Sequence, residues 1–115
     1  MPEQDPIEVR MTDRDGAIVL RPDGEIGYHE SPTLRNKIKI AFDRSPRKVV
    51  VDLGGVDYMS TPGLATLVEA LQVSKRTKIP LMLCGLNERV LAIFEIAKLQ
   101  TVFNIVDTAD EAVGG

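Results

Sequence analysis

The sequence predicts one small α/β domain, with a mixed, mostly parallel sheet, an N-terminal β-hairpin and a cover of three or four helices. The β-branched run at 49–51 is typical of a strand buried on both faces. An amphipathic helix follows it, because apolar residues recur there at helical spacing. These residues are Leu64, Leu67, Val68 and Leu71. Strands and helices then alternate along the chain, and right-handed crossovers make such a sheet largely parallel.

The composition indicates a globular protein of one domain. The chain has 115 residues, enough for a core of its own, with 43% apolar and 27% charged residues. A net charge of -3 gives no general attraction to nucleic acid, and no apolar run approaches the ~20 residues that span a bilayer. A single cysteine cannot form an internal disulfide. We therefore expect a cytoplasmic domain over 1–115, frayed at 1–5 and 114–115, without nucleic-acid binding or membrane insertion.

The first elements are predicted to form a hairpin. Residues 7–11 alternate apolar and polar side chains, as in a half-buried strand, and 17–20 is a second short strand. The Pro-Asp-Gly sequence at 22–24 is expected to end this hairpin. Residues 25–30 are then a loop or an irregular strand end.

Two pairs of a hydroxyl residue and a proline are predicted to start helices. Proline is favoured in the first helical turn because it has no N–H to lose, and it disfavours helical geometry in the residue before it. Ser31-Pro32 and Thr61-Pro62 are therefore each interpreted as an N-cap followed by a first helical residue. Ser60 is the weaker cap candidate. The inward face of the first helix is expected to contain Leu34, Ile38, Ala41 and Phe42.

The remaining chain is predicted to add further strand and helix units. A loop is expected at 54–60, and 81–84 is predicted to be a fully buried strand. Asn87 is the predicted cap of a third helix. A last strand at 102–106 and a final short helix at 107–113 complete the prediction. The core face of the third helix is expected to contain Val90, Leu91, Phe94 and Ala97.

Motifs for catalysis or metal binding are absent from the sequence. The one histidine, His29, and the one cysteine, Cys84, lie in predicted elements with no reason to meet. Neither CxxC nor HExxH occurs, and no glycine-rich phosphate motif is present. Asp52 ends a buried strand, but the acidic partners of a phosphoryl-accepting aspartate are missing, so we expect it to bind loop amides. We predict no catalytic residue, no metal, no cofactor and no enzymatic activity.

Several segments resemble the STAS domain family, the fold of bacterial anti-sigma-factor antagonists. Residues 49–67 are similar to the central motif of these domains. Residues 23–26, followed by 31–35, resemble the family's Gly-Glu loop and the start of its first helix. Residues 86–99 resemble its third helix, and 102–105 the strand beyond. The resemblance covers nearly the whole chain, in order.

The resemblance implies a non-enzymatic switch. In antagonists of this family, the loop before the second helix carries Asp-Ser-Ser-Gly or Asp-Ser-Thr-Gly. Its first hydroxyl residue is phosphorylated by the partner, an anti-sigma factor that is itself a serine/threonine kinase. Aligning Gly63 with the motif glycine places Thr61 at the acceptor position, with Ser60 as the second choice. The unphosphorylated domain captures this partner and frees the sigma factor. The implied partner-binding residues are Tyr58, Met59, Ser60, Thr61, Pro62, Gly63, Glu25, Gly27 and Ser31, with Tyr58 and Met59 as exposed apolar anchors.

Two positions differ from the family pattern and leave alternatives open. The acidic residue just before the acceptor is Ser60 in this chain, and the acidic residue two positions after the Gly-Glu pair is Gly27. A docking domain that works without phosphorylation is therefore one alternative. The other is a cytoplasmic STAS subunit of an ABC-type lipid transporter, in which a threonine occupies a similar position and the partners are transporter subunits.

Overall fold

The computed structural model describes residues 6–114, which form six strands and four helices. The expected fraying at 1–5 and at Gly115 lies outside the described residues, whereas Gly114 is the last residue of a helix. In chain order the elements are β1 (Glu8–Arg14), β2 (Ala17–Ile26), α1 (Ser31–Asp43), β3 (Lys48–Asp52), β4 (Val56–Met59), α2 (Thr61–Thr77), β5 (Leu81–Cys84), α3 (Glu88–Ile96), β6 (Asn104–Val106) and α4 (Ala109–Gly114). None of the helices within 6–114 is long and apolar enough to cross a membrane.

The strands form one mixed sheet. The strand order is β1-β2-β3-β5-β6, and β4 pairs with the far end of β2. β1 and β2 pair antiparallel, with Met11 opposite Leu20, and the other pairings are parallel. The predicted α/β class, with its N-terminal hairpin and mostly parallel sheet, is therefore confirmed.

Two local predictions are wrong, and one long-range pairing explains both. The β1–β2 pairing ends at 22–24 as predicted, but the second strand, predicted at 17–20, continues to Ile26, and part of the expected loop at 54–60 is the strand β4. Residues Gly24–Ile26 pair with Val56–Met59 in parallel, with a register shift after Gly24, whose φ is 108°. The hydrogen bonds of this ladder outweigh the local turn signal, because β structure depends on its cross-strand partners.

The two faces of the sheet are covered unequally. Alternate residues point to opposite faces, as the strand period requires, so that Ile18 and Leu20 join the large core and Ala17 and Val19 the small one. Residues of α1, α2 and α3 contribute to the large core. Only α4, among the described helices, contributes to the small one, through Ala112 and Val113.

The predicted inward faces of α1 and α2 lie on the large core. All four residues named for α1 are buried. Leu67 of α2 is fully buried, and Leu64, Val68 and Leu71 are partly buried and pack against the core. The apolar stripe of α2 thus packs as predicted, with Leu67 as its most enclosed member.

The third helix departs from its prediction at Leu91, which is only partly buried, and at its C-terminal end. Asn87 is confirmed as the cap, since its side-chain oxygen accepts a hydrogen bond of 2.8 Å from the Val90 amide. Val90 and Phe94 are buried as expected. Ala97 is exposed, and its prediction as a core residue is wrong. The helix ends at Ile96, because Lys98 adopts a left-handed φ of 59° that a helix cannot continue.

The environments of Asp52 and Cys84 indicate structural roles for both side chains. One Asp52 oxygen accepts from the Gly54 amide at 2.9 Å and the other from Arg21 Nη1 at 3.1 Å, which confirms the expected role in holding loop amides. Burial, with a smaller effect of the Asp52 carboxylate, raises the pKa of the Cys84 thiol to about 12. This thiol therefore remains protonated at neutral pH.

Candidate functional site

The junction between β4 and α2 is fixed by the end of β2. The Ser60 amide donates to the Ile26 carbonyl at 3.0 Å, and the Ser60 hydroxyl donates to the same oxygen at 3.3 Å. These bonds hold Ser60 extended, with φ -92° and ψ 176°. The first helical hydrogen bond of α2 then runs from the Leu64 amide to the Ser60 carbonyl at 3.0 Å.

Thr61 is the first residue of α2, so the prediction that it is the extended N-cap is wrong. Ser60 occupies the cap position, because its amide completes the β2–β4 ladder. Its hydroxyl is already used by Ile26, and no side chain caps the helix. Thr61 is exposed, and its hydroxyl makes no hydrogen bond to the described part of the chain. The structure thus leaves an accessible hydroxyl at the positive end of a helix dipole.

Gly63 allows α2 to start against the strand pair. It is buried, and a Cβ built on it would lie 2.9 Å from the Ile26 carbonyl oxygen and 3.3 Å from the end of the Met59 side chain. A side chain here would therefore push α2 away from β2 and β4. Gly63 positions Thr61 but does not belong to the exposed surface.

The turn before α1 is held by its own hydrogen bonds. The Gly27 carbonyl accepts from both the amide and the hydroxyl of Ser31, at 3.0 and 2.7 Å. The Gly27 amide donates to Glu30 Oε1 at 2.8 Å. Ser31 is therefore not the cap of α1, a position that Glu30 takes, and it is 2% exposed. The expectation that Ser31 is both a cap and a surface residue is wrong.

The exposed residues at this end of the molecule differ partly from the predicted set. Met59, expected to be an exposed anchor, is 1% exposed, because it pairs with Ile26 and shares its inward direction. Tyr58 is 41% exposed and Tyr28 77%. We call the exposed and half-exposed side chains here the helix-start rim. Its members are Glu25, Tyr28, Tyr58, Thr61 and Pro62.

A shallow cavity of about 330 Å³ lies beside the rim, where the starts of α1 and α2 meet. It was not predicted, because the contact between the two helix starts is a tertiary feature. Tyr28, a bulky aromatic residue within a polar loop, was the available sequence signal. The lining residues are Tyr28, His29, Ser31, Pro32, Arg35 and Pro62.

The charges around the rim are mainly acidic. Glu25 and Asp57 are exposed. Arg35 forms an ion pair with Glu69, with 2.7 Å between Nε and Oε2. Within residues 6–114, no group of three or more histidine, cysteine or acidic side chains could hold a metal ion. The arrangement presents an accessible hydroxyl and exposed aromatic rings on a surface.

The fold and this surface define a class of small α/β domain in which a hairpin precedes alternating strands and helices and the second helix starts at an exposed hydroxyl. The chain belongs to the STAS domain family, whose model matches residues 8–112. The resemblance stated from the sequence is therefore confirmed.

Individual relatives agree with this assignment. The chain is 26% identical, over 92% of its length and 91% of the relative, to a putative anti-sigma factor antagonist, BtrV, of Bordetella bronchiseptica. It is 28% identical, over 94% of each chain, to the anti-sigma-B factor antagonist of Listeria monocytogenes. The crystal structure of an anti-sigma factor antagonist from Mycobacterium paratuberculosis has the same fold, with a TM-score of 0.86, 23% identity and coverage of 99% and 97% of the two chains.

Proposed function

We propose that this chain is a non-enzymatic anti-sigma-factor antagonist that captures an anti-sigma factor in the cytoplasm through the helix-start rim. Full-length similarity to named antagonists supports the class of function. The observation that carries the mechanism is the Thr61 hydroxyl at the first residue of α2, which is exposed and makes no hydrogen bond within residues 6–114. Ser60 is the weaker acceptor, because its hydroxyl is bonded to the Ile26 carbonyl.

Phosphorylation of Thr61 is the proposed switch. The partner kinase transfers the γ-phosphoryl group of ATP to Thr61 Oγ1, the hydroxyl proton is released, and ADP leaves. The phosphate brings about -1.5 to -2 charges. The domain tolerates this charge, because α2 has no side-chain cap and its dipole favours an anion at this end.

The same charge lowers the affinity of the domain for its partner. Asp57 and Tyr58 precede Thr61 on β4 and are exposed, and Glu25, opposite Tyr58 on β2, is exposed as well. A partner that covers Thr61 and these residues must accommodate both the aromatic ring and the carboxylates. A bulky dianion in the middle of that surface adds desolvation cost and repulsion from acidic groups of the partner. The fold is thus kept while the affinity changes.

The test is direct binding to the anti-sigma factor kinase of the same organism, measured by isothermal titration with the unphosphorylated protein. We expect saturable binding and displacement of the sigma factor in a competition assay. No binding to the kinase, together with binding to the subunits of a lipid transporter, would contradict the proposal and support the transporter alternative.

A further inference from the structure

Tyr28 is the most exposed large aromatic side chain of the described residues, and it is carried by a hydrogen-bonded turn. It is 77% exposed, and its ring meets His29 edge to face, with centroids 5.6 Å apart. The backbone on either side is fixed by the bonds of Gly27 with Ser31 and Glu30. An aromatic residue presented in this way loses little conformational entropy when a partner covers it.

The cavity next to Tyr28 has walls suited to a ring. Pro32 and Pro62 come from the starts of the two helices, and Tyr28 and His29 add aromatic surface. The Ser31 hydroxyl donates its proton to the Gly27 carbonyl, so it cannot donate to a ligand. Arg35 also lines the cavity, while its Nε donates to Glu69 Oε2 at 2.7 Å. The pocket therefore fits an aromatic side chain with an apolar body and a polar edge.

We infer that Tyr28 and this cavity form the anchoring pocket for the anti-sigma factor, which inserts an aromatic side chain between Pro32 and Pro62 and covers the Tyr28 ring. The inference rests on the proposed function and gives Tyr28 a specific role in it. The cavity is continuous with the helix-start rim, since Pro62 directly follows Thr61. A phosphate on Thr61 then stands at the lip of the pocket, where it opposes insertion of the ring.

Binding of substituted proteins to the anti-sigma factor tests this pocket. Tyr28→Ala should weaken binding at least about tenfold, as expected for a central aromatic anchor, and Tyr28→Phe should bind nearly as the native protein. Ile96→Ala is the matched control, because Ile96 is 83% exposed on α3 and does not line the cavity. Melting temperatures should stay unchanged for all three variants, since exposed side chains contribute little to stability.

A fluorine label distinguishes loss of the anchor from a general disturbance. The chain has two tyrosines, Tyr28 and Tyr58, so 3-fluorotyrosine gives two resonances that Tyr58→Phe assigns. The Tyr28 resonance should lose its H₂O/D₂O solvent shift when unlabelled partner is added. Native affinity of Tyr28→Ala, or a Tyr28 resonance that keeps its solvent shift in the complex, overturns the inference alone. If the native protein fails to bind the anti-sigma factor, both the inference and the proposed function fall.

Discussion

Thr61→Glu is expected to weaken binding to the anti-sigma factor at least about tenfold, or about 1.4 kcal/mol, while the fold remains as stable as before. The carboxylate adds a negative charge to the helix-start rim, which already carries Glu25, and Asp57 on β4 is exposed as well. The stability of the free domain should stay the same or rise by about 0.3–1 kcal/mol, because an anion is favourable at a helix N-terminus. Titration calorimetry and thermal unfolding measure the two effects separately.

Thr61→Gln is the matched control for this experiment. It has nearly the size of the glutamate variant and lacks the charge, so it should retain most of the affinity. Thr61→Ala should change stability by less than about 0.5 kcal/mol, because Thr61 is exposed and does not cap the helix. Equal binding by the Thr61→Glu and Thr61→Gln proteins would show that charge at this position does not control docking.

Leu67→Ala is expected to lower the free energy of unfolding by about 2–5 kcal/mol, since it removes a large side chain from a closed core. Leu67 is 0% exposed on the inward face of α2, within the core shared by α1, α3 and the sheet. The resulting cavity cannot be filled without moving α2, whose start is fixed by Ser60 and Gly63. Urea unfolding followed by circular dichroism measures the loss.

Leu71, one turn later on the same helix, provides the comparison. It is partly buried at the edge of the core, so Leu71→Ala should cost clearly less than Leu67→Ala. Similar losses for Leu67→Ala and Leu71→Ala would mean that the assignment of the inward face is wrong.

The single cysteine gives a second readout of unfolding. Cys84 is buried and its thiol stays protonated, so alkylation near pH 8 should report opening of the domain.

Local patterns predicted most of the fold because they act over a few residues. Asn87 caps α3 through the next turn of its own helix, and the spacing of apolar residues placed α1 and α2 on the core. The β2–β4 ladder could not be predicted in this way, since it joins segments about thirty residues apart. The errors at Met59 and at the two helix caps follow from that one pairing and from the turn at Gly27.

The sequence predicted the region of the candidate site, the start of α2, but not all of the residues that form its surface. The Thr61-Pro62 pair predicted where α2 begins, because proline limits where a helix can start, but it assigned the cap to Thr61 instead of Ser60. The cavity needs Pro32 and Pro62 to meet across two helices, and the burial of Ser31 needs the Gly27 carbonyl. Such contacts depend on tertiary packing, which a single sequence does not specify locally.

The most direct test of the proposed switch is peptide mapping by mass spectrometry on two preparations. One is the protein isolated from its own cells, and the other is the protein incubated with its anti-sigma factor kinase and ATP. We expect one phosphate, on Thr61, and none on Ser60. The phosphorylated fraction should no longer bind the kinase that produced it. A protein that stays unmodified in both preparations, or that carries its phosphate elsewhere while Thr61 remains free, would contradict the proposed switch.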